Sequence, residues 1–147
     1  MRISSINSLP KAFVVCMLLA FTVVACGANK SDAELIASAK EYVEKKELRA
    51  ATIELKNALQ QNPDNAEARY LLGELYYKIG DMPSAEKEYS RALEAGWSPE
   101  QAYVGKMLAI VSQARFDDVL EDSYDSSGFS DTAKANLVAI RALAYGA

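Results

Sequence analysis

The feature that most constrains this chain is a repeat of fixed length. Tyr42 and Tyr76 stand 34 residues apart, as do Ala51 and Ala85, Glu54 and Glu88, Ala58 and Ala92, and Leu59 and Leu93. A period at which small, large and charged residues each return to their own places means that one supersecondary unit is used again. Neighbouring units must then stack to cover each other's apolar faces. Within each period the apolar residues fall at helical spacing. Leu35, Ala39, Tyr42 and Val43 mark one face of a first helix, and Ala50, Ala51, Leu55, Ala58 and Leu59 mark a second that stops at Asn62-Pro63-Asp64-Asn65. A third helix is expected over about 66–79, meeting Gly80-Asp81. A fourth opens near Pro83, a residue suited to a first helical turn, and ends at Ala95-Gly96. The pattern predicts an all-α chain of antiparallel helix pairs stacked as a short α-solenoid.

The residue types at the recurring places have physical roles. Gly73, Ala85 and Ala92 are small where two helices must approach closely, while Leu72, Tyr76, Tyr89 and Leu93 are large enough to fill the space between layers. A 34-residue helix pair of this design resembles the tetratricopeptide repeat (TPR). The first unit departs from that pattern with Ser38-Ala39 where Leu-Gly is usual and with Lys46 at the turn glycine. A third unit is looser. Aligning Pro63 with Pro99, an offset of 36, places Leu108-Ala109 on Leu72-Gly73 and Phe116-Asp117 on Gly80-Asp81, with a second helix over about 118–122. Tyr124-Asp125-Ser126-Ser127-Gly128 reads as a loop, and a last helix runs from about 132 to 147. There Arg141-Ala142-Leu143-Ala144 resembles the opening helix of another TPR. The expected units are therefore 32–65, 66–99, a degenerate 100–130, and the first helix, 131–147, of an incomplete fourth repeat. On this reading the chain is the N-terminal part of a longer array.

The N-terminus has a different character. Arg2 and Lys11 precede an apolar run over 12–25, interrupted only by Thr22, which is too short to span a bilayer comfortably. Val23-Val24-Ala25-Cys26 resembles the lipobox of bacterial lipoproteins, in which a diacylglycerol is joined to the thiol as a thioether before cleavage ahead of the cysteine. Residues 1–25 are thus expected to be a leader and 26–31 a lipidated tether, with Cys26 carrying the covalent lipid. More than one acyl chain gives stable attachment where a single chain is marginal. Gly27, rather than Asp, follows the cysteine; resemblance to enterobacterial sorting then implies the periplasmic face of the outer membrane.

Several function classes are disfavoured. Once Arg2 and Lys11 leave with the leader, 14 basic residues face 20 acidic ones, a poor balance for binding nucleic acid. The chain has no histidine, and Cys16 leaves with the leader, so neither an intramolecular disulfide nor a zinc site is expected. A serine nucleophile would lack its ordinary base. The acidic set Asp117, Asp118, Glu121, Asp122 and Asp125 does not keep the alternating spacing of a calcium loop. The expectation is a binding protein without catalytic residues, resident metal or cofactor other than the lipid.

In stacked TPRs the first helix of each pair lines a groove. Tyr70, Glu74, Tyr77 and Lys78 form one stripe there, and shifting by 34 adds Ile36, Lys40, Val43 and Glu44. Shifting forward by 36 adds Lys106, Ile110, Gln113 and Ala114, with Tyr103 one turn earlier. Tyrosines with both charge signs suit a protein or peptide ligand. The run of Lys and Arg needed to clamp a terminal carboxylate is missing. Trp97, beside Gly96 and Pro99, reads as an inter-repeat packing group rather than a sugar platform.

Four stretches carry a narrower resemblance. Residues 35–42 (Leu-Ile-Ala-Ser-Ala-Lys-Glu-Tyr), 53–60 (Ile-Glu-Leu-Lys-Asn-Ala-Leu-Gln), 65–73 (Asn-Ala-Glu-Ala-Arg-Tyr-Leu-Leu-Gly) and 85–88 (Ala-Glu-Lys-Glu) resemble the TPR-repeat lipoproteins of the PEP-CTERM/exosortase system. That resemblance implies a scaffold for envelope export of exopolysaccharide and sorted surface proteins in a biofilm-forming bacterium. Other envelope machines also use TPR lipoproteins: outer-membrane barrel assembly, and the pilus secretin with its pilotin. A carbohydrate-binding envelope protein is the alternative of another class.

Overall fold

Most helices start where a short polar side chain can take up free backbone N–H groups. In the computed structural model, which describes residues 30–147, α1 (Asp32–Glu44) begins at Ser31. The Glu34 N–H donates to Ser31 Oγ at 3.3 Å, and the Ser31 N–H donates back to Glu34 Oε2 at 2.7 Å, a reciprocal capping box. Asn65 caps α3 (Ala66–Lys78), Asp81 caps α4 (Met82–Glu94), and Ser130 caps α7 (Asp131–Tyr145), each accepting from an N–H three residues on. The remaining helices, α2 (Leu48–Gln61), α5 (Pro99–Ser112) and α6 (Phe116–Glu121), lack a side-chain cap. All elements among the described residues are helices. The expected leader over 1–25 and the expected tether up to 29, with Cys26, lie outside the described residues.

The turns inside the three pairs repeat more strictly than their sequences do. Lys46, Gly80 and Ala114 all have positive φ, at 62°, 84° and 56°, and they are spaced by 34 residues. The residue after each one donates its N–H across the helix end: Glu47 to Tyr42 O, Asp81 to Tyr76 O and Arg115 to Ile110 O. This bond closes a helix on a left-handed residue, the position that glycine fills most cheaply. Lys46 and Ala114 adopt it without being glycine.

This geometry corrects the expected register of the third unit. The turn falls on Ala114-Arg115 rather than Phe116-Asp117, so the offset there is 34 and not 36. The two prolines used for the alignment are not equivalent. Pro63 lies two residues ahead of the capping Asn65, whereas Pro99 is itself the first residue of α5. The second helix of this pair, α6, occupies Phe116–Glu121, only six residues.

Small residues sit where helices cross. Ala51, Ala58, Ala85 and Ala92 are fully buried, and Leu35, Leu55, Leu72 and Leu75 fill the space around α1 to α3. Tyr89 lies under α3 and α5, and Tyr103, Met107, Ile110 and Val119 form a core shared with Leu137 and Ile140 of α7. Tyr76 and Leu93 are half-buried at the edges of these clusters. One buried charge is accommodated: Glu88, 6% exposed, pairs with Arg69 at 2.7 Å, and Arg69 also donates to the Pro63 carbonyl at 2.9 and 3.1 Å. An ion pair this buried persists only with such additional hydrogen bonds.

After α6 the chain folds back on α5. Asp122 accepts from the Tyr103 hydroxyl and the Tyr124 N–H, and the Tyr124 ring stacks on Tyr103 with centroids 4.2 Å apart. The carboxylate of Glu100 receives both the Ser130 N–H (2.9 Å) and its hydroxyl (2.5 Å), fixing the start of α7. Helix α7 then packs across α5 and α6 through Ala133, Leu137, Ile140 and Ala144. Its other side leaves Val138, Leu143 and Tyr145 at 68%, 63% and 78% exposure.

Candidate functional site: a groove between first helices

The first helices of the pairs stand side by side and leave a depression between α1 and α3. Its floor is apolar, formed by Ala39, Val43, Leu55, Leu71 and Leu75, and its rim carries Lys40, Glu44, Tyr70, Glu74 and Lys78. The volume is about 350 Å³, enough for a large side chain of a ligand though small for a whole one. Six residues expected from the repeat stripe, Lys40, Val43, Glu44, Tyr70, Glu74 and Lys78, therefore meet in one place. Lys40 is already ion-paired with Glu67 of α3 at 2.6 Å, a contact that joins the two walls.

Beyond Tyr70 and Glu74 the depression continues between α3, α5 and α7. This second part, about 220 Å³, is bounded by Gln101, Val104, Leu108, Ala133 and Asn136. Tyr70 and Glu74 border both parts.

The third repeat faces the groove with residues other than those expected. Tyr103 and Ile110 are 2% and 4% exposed and point into the core with α6 and α7, and Lys106 is half-buried outside both parts of the groove. Gln113 donates to Glu86 at 2.9 Å, and Ala114 forms the turn. A two-residue slip rotates a helix by roughly 200°, which turns the stripe to the opposite side. Applied instead at 34, the shift takes Tyr70 to Val104 and Glu74 to Leu108, the residues that do line the groove. Within the first two repeats two expectations also change. Ile36 is buried, and Tyr77 packs against the cluster of Ala85, Tyr89 and Ala109 rather than lining the groove.

Glu74 is held by its surroundings. Tyr89 reaches from α4 between two glycines: a Cβ on Gly73 would lie 2.8 Å from the ring, and one on Gly105 would lie 2.7 Å from it. Only glycine lets the ring pass on both sides. The Tyr89 hydroxyl then donates to Glu74 Oε1 at 2.6 Å. Burial first, and then the hydrogen bond to Glu74, hold the Tyr89 phenol far above its ordinary pKa. Burial and the nearby Glu74 charge push Tyr70 up to about 12. Both phenols stay protonated throughout the physiological range. Tyr70 also stacks on Trp97, with centroids 5.2 Å apart and planes 18° apart, so Trp97 packs between repeats as expected. Its indole Nε1 has no hydrogen-bond partner.

No curated protein matches this sequence. Residues 42–105, from the last turn of α1 into α5, match the tetratricopeptide repeat family and enclose the whole α3–α4 pair. Over that stretch the chain is similar to tetratricopeptide repeats, a building unit of protein–protein interaction scaffolds, and its helix pairs stack as a short helical solenoid.

Proposed function

We propose that the chain is a membrane-anchored TPR scaffold that binds a protein or peptide in the groove between its first helices and serves envelope export of exopolysaccharide and sorted surface proteins. The observation that carries the binding reading is the gathering of Lys40, Val43, Tyr70, Glu74 and Lys78 around an apolar floor. Mixed charge on a rim above an apolar base is the arrangement expected of a peptide-binding surface. The anchor rests on Cys26 and the lipobox-like Val23-Val24-Ala25 before it. The export role rests on the four stretches that resemble exosortase-associated TPR lipoproteins.

Complementation of a deletion strain tests this reading. Loss of the gene is expected to lower surface polysaccharide and sorted surface proteins. The wild-type chain is expected to restore both, and Cys26→Ser, which cannot take the thioether, to restore neither. Mass spectrometry of the mature N-terminus is expected to find acylated Cys26. Unchanged export in the deletion strain would overturn the export role, and an unmodified Cys26 would overturn the anchor.

A further inference from the structure

Several buried or half-buried carboxylates among the described residues are answered from within by a cation or by more than one donor, and Glu74 has no cation. Glu88 has Arg69, Glu86 has Arg115 at 2.6 Å and Glu54 has Lys30 at 3.5 Å. Asp32 accepts from Asn62 and Asn65, and Glu100 from Ser130. Glu74 receives the Tyr89 hydroxyl on Oε1 and takes part in no ion pair among the described residues. Lys78, one turn further along α3, is exposed and makes no ion pair with it. A carboxylate has acceptor sites on both oxygens, and the neutral phenols beside it, Tyr89 and Tyr70, do not neutralise its charge. Its place matters as much as its charge, because Glu74 borders the apolar depressions on either side. The neighbouring phenols keep their protons near neutral pH and do not compete with it for a cation; Glu44 and Glu100 border one depression each, whereas Glu74 borders both.

Resting on the reading of this groove as a peptide site, we propose that Glu74 sets its specificity: it accepts a Lys or Arg side chain from an extended peptide whose flanking apolar side chains enter the two depressions. An extended chain turns every second side chain to the same face, so the recognised pattern is apolar-x-basic-x-apolar. An acidic side chain placed against Glu74 is disfavoured by like-charge repulsion. The net negative charge of the chain adds long-range attraction for such a ligand.

The test uses the full chain and fluorescein-labelled Gly-Leu-Ser-Arg-Ser-Leu-Gly, beside the same peptide with citrulline, an uncharged mimic of Arg, and with Glu. Fluorescence anisotropy is expected to show the Arg peptide binding about tenfold tighter than the citrulline peptide, with the Glu peptide weakest. Glu74→Gln keeps an acceptor for Tyr89, so its thermal melt is expected to match wild type while the Arg-over-citrulline ratio falls to about one. A ratio that survives Glu74→Gln, or equal binding of Arg and citrulline peptides to wild type, would overturn the proposal. Val43→Arg separates the two levels of the reading. If it abolishes binding while Glu74→Gln changes nothing, the groove stands and the role of Glu74 falls. If no peptide binds, or Val43→Arg leaves binding intact, the groove reading falls and takes this proposal with it.

Discussion

Among the described residues Tyr89 and Tyr103 are the two largest fully buried side chains, and each gives its hydroxyl hydrogen to a carboxylate, Glu74 and Asp122 respectively. What surrounds them differs. Tyr89 is sandwiched by Gly73 and Gly105 between two full-length helices. Tyr103 is covered by a six-residue helix and by Tyr124 and Phe129 from an irregular loop, with Tyr124 itself 41% exposed. The first region is held by repeated backbone geometry, so its crossings tolerate little change of volume. The second replaces a missing helical turn with aromatic contacts that keep one side in water. Side chains can therefore restore a core that the backbone repeat no longer supplies, though with less of it sealed.

Removing each tyrosine is the strongest way to break this comparison. Tyr89→Ala is expected to cost about 3–5 kcal/mol in denaturant unfolding, because the space between two glycines cannot collapse. Tyr103→Ala is expected to cost about 3 kcal/mol, with faster amide hydrogen exchange confined to α6 and α7. Equal loss of protection in α1 to α4 would mean that the two regions are one cooperative unit. The ion pairs come next. Arg69→Ala leaves buried Glu88 with only the longer 3.6 Å pair to Arg91 and is expected to cost about 2–3 kcal/mol, whereas Arg115→Ala, at an exposed site, is expected to cost less than about 1 kcal/mol. Gly105→Ala, which drives a methyl into the Tyr89 ring, is expected to cost about 1–3 kcal/mol.

The turns predict gains instead. Lys46→Gly and Ala114→Gly should each raise stability by up to about 1 kcal/mol, and Gly80→Ala should lower it by a similar amount, as thermal melts would show. The smallest effect concerns pH. Two hydrogen bonds from Ser130 hold the Glu100 carboxyl below its ordinary value of 4.5. A carboxyl depressed in the folded state contributes stability that is present above the unfolded value and lost as pH falls through the folded one. Amides in the first turn of α7 should therefore exchange faster relative to the rest of the chain below about pH 4.5, and Glu100→Gln should remove that dependence.

The repeat and its helix pairs were legible because Tyr42/Tyr76, Ala51/Ala85 and Ala58/Ala92 repeat by residue type as well as by spacing. The groove was legible for the same reason over α1 and α3, where Lys40, Val43, Tyr70, Glu74 and Lys78 come together. The third repeat was misread because proline fits both a helix's first residue and the loop ahead of its cap; only backbone geometry told Pro63 from Pro99. The turn at Ala114 was hidden because alanine does not advertise a left-handed conformation as glycine does. Tyr77 gave no warning either. Its place on the stripe is shared by groove and core, and the burial of Tyr89 beneath α3 decides between them.

The most direct test of the account places a photo-crosslinking residue at Val43 and, in a separate strain, at the exposed Lys87 on α4, in intact cells. A discrete protein adduct from Val43 and none from Lys87 is the expected result, and it would locate the partner in the groove between α1 and α3. Adducts that are the same at both positions, or that form only at Lys87, would contradict it.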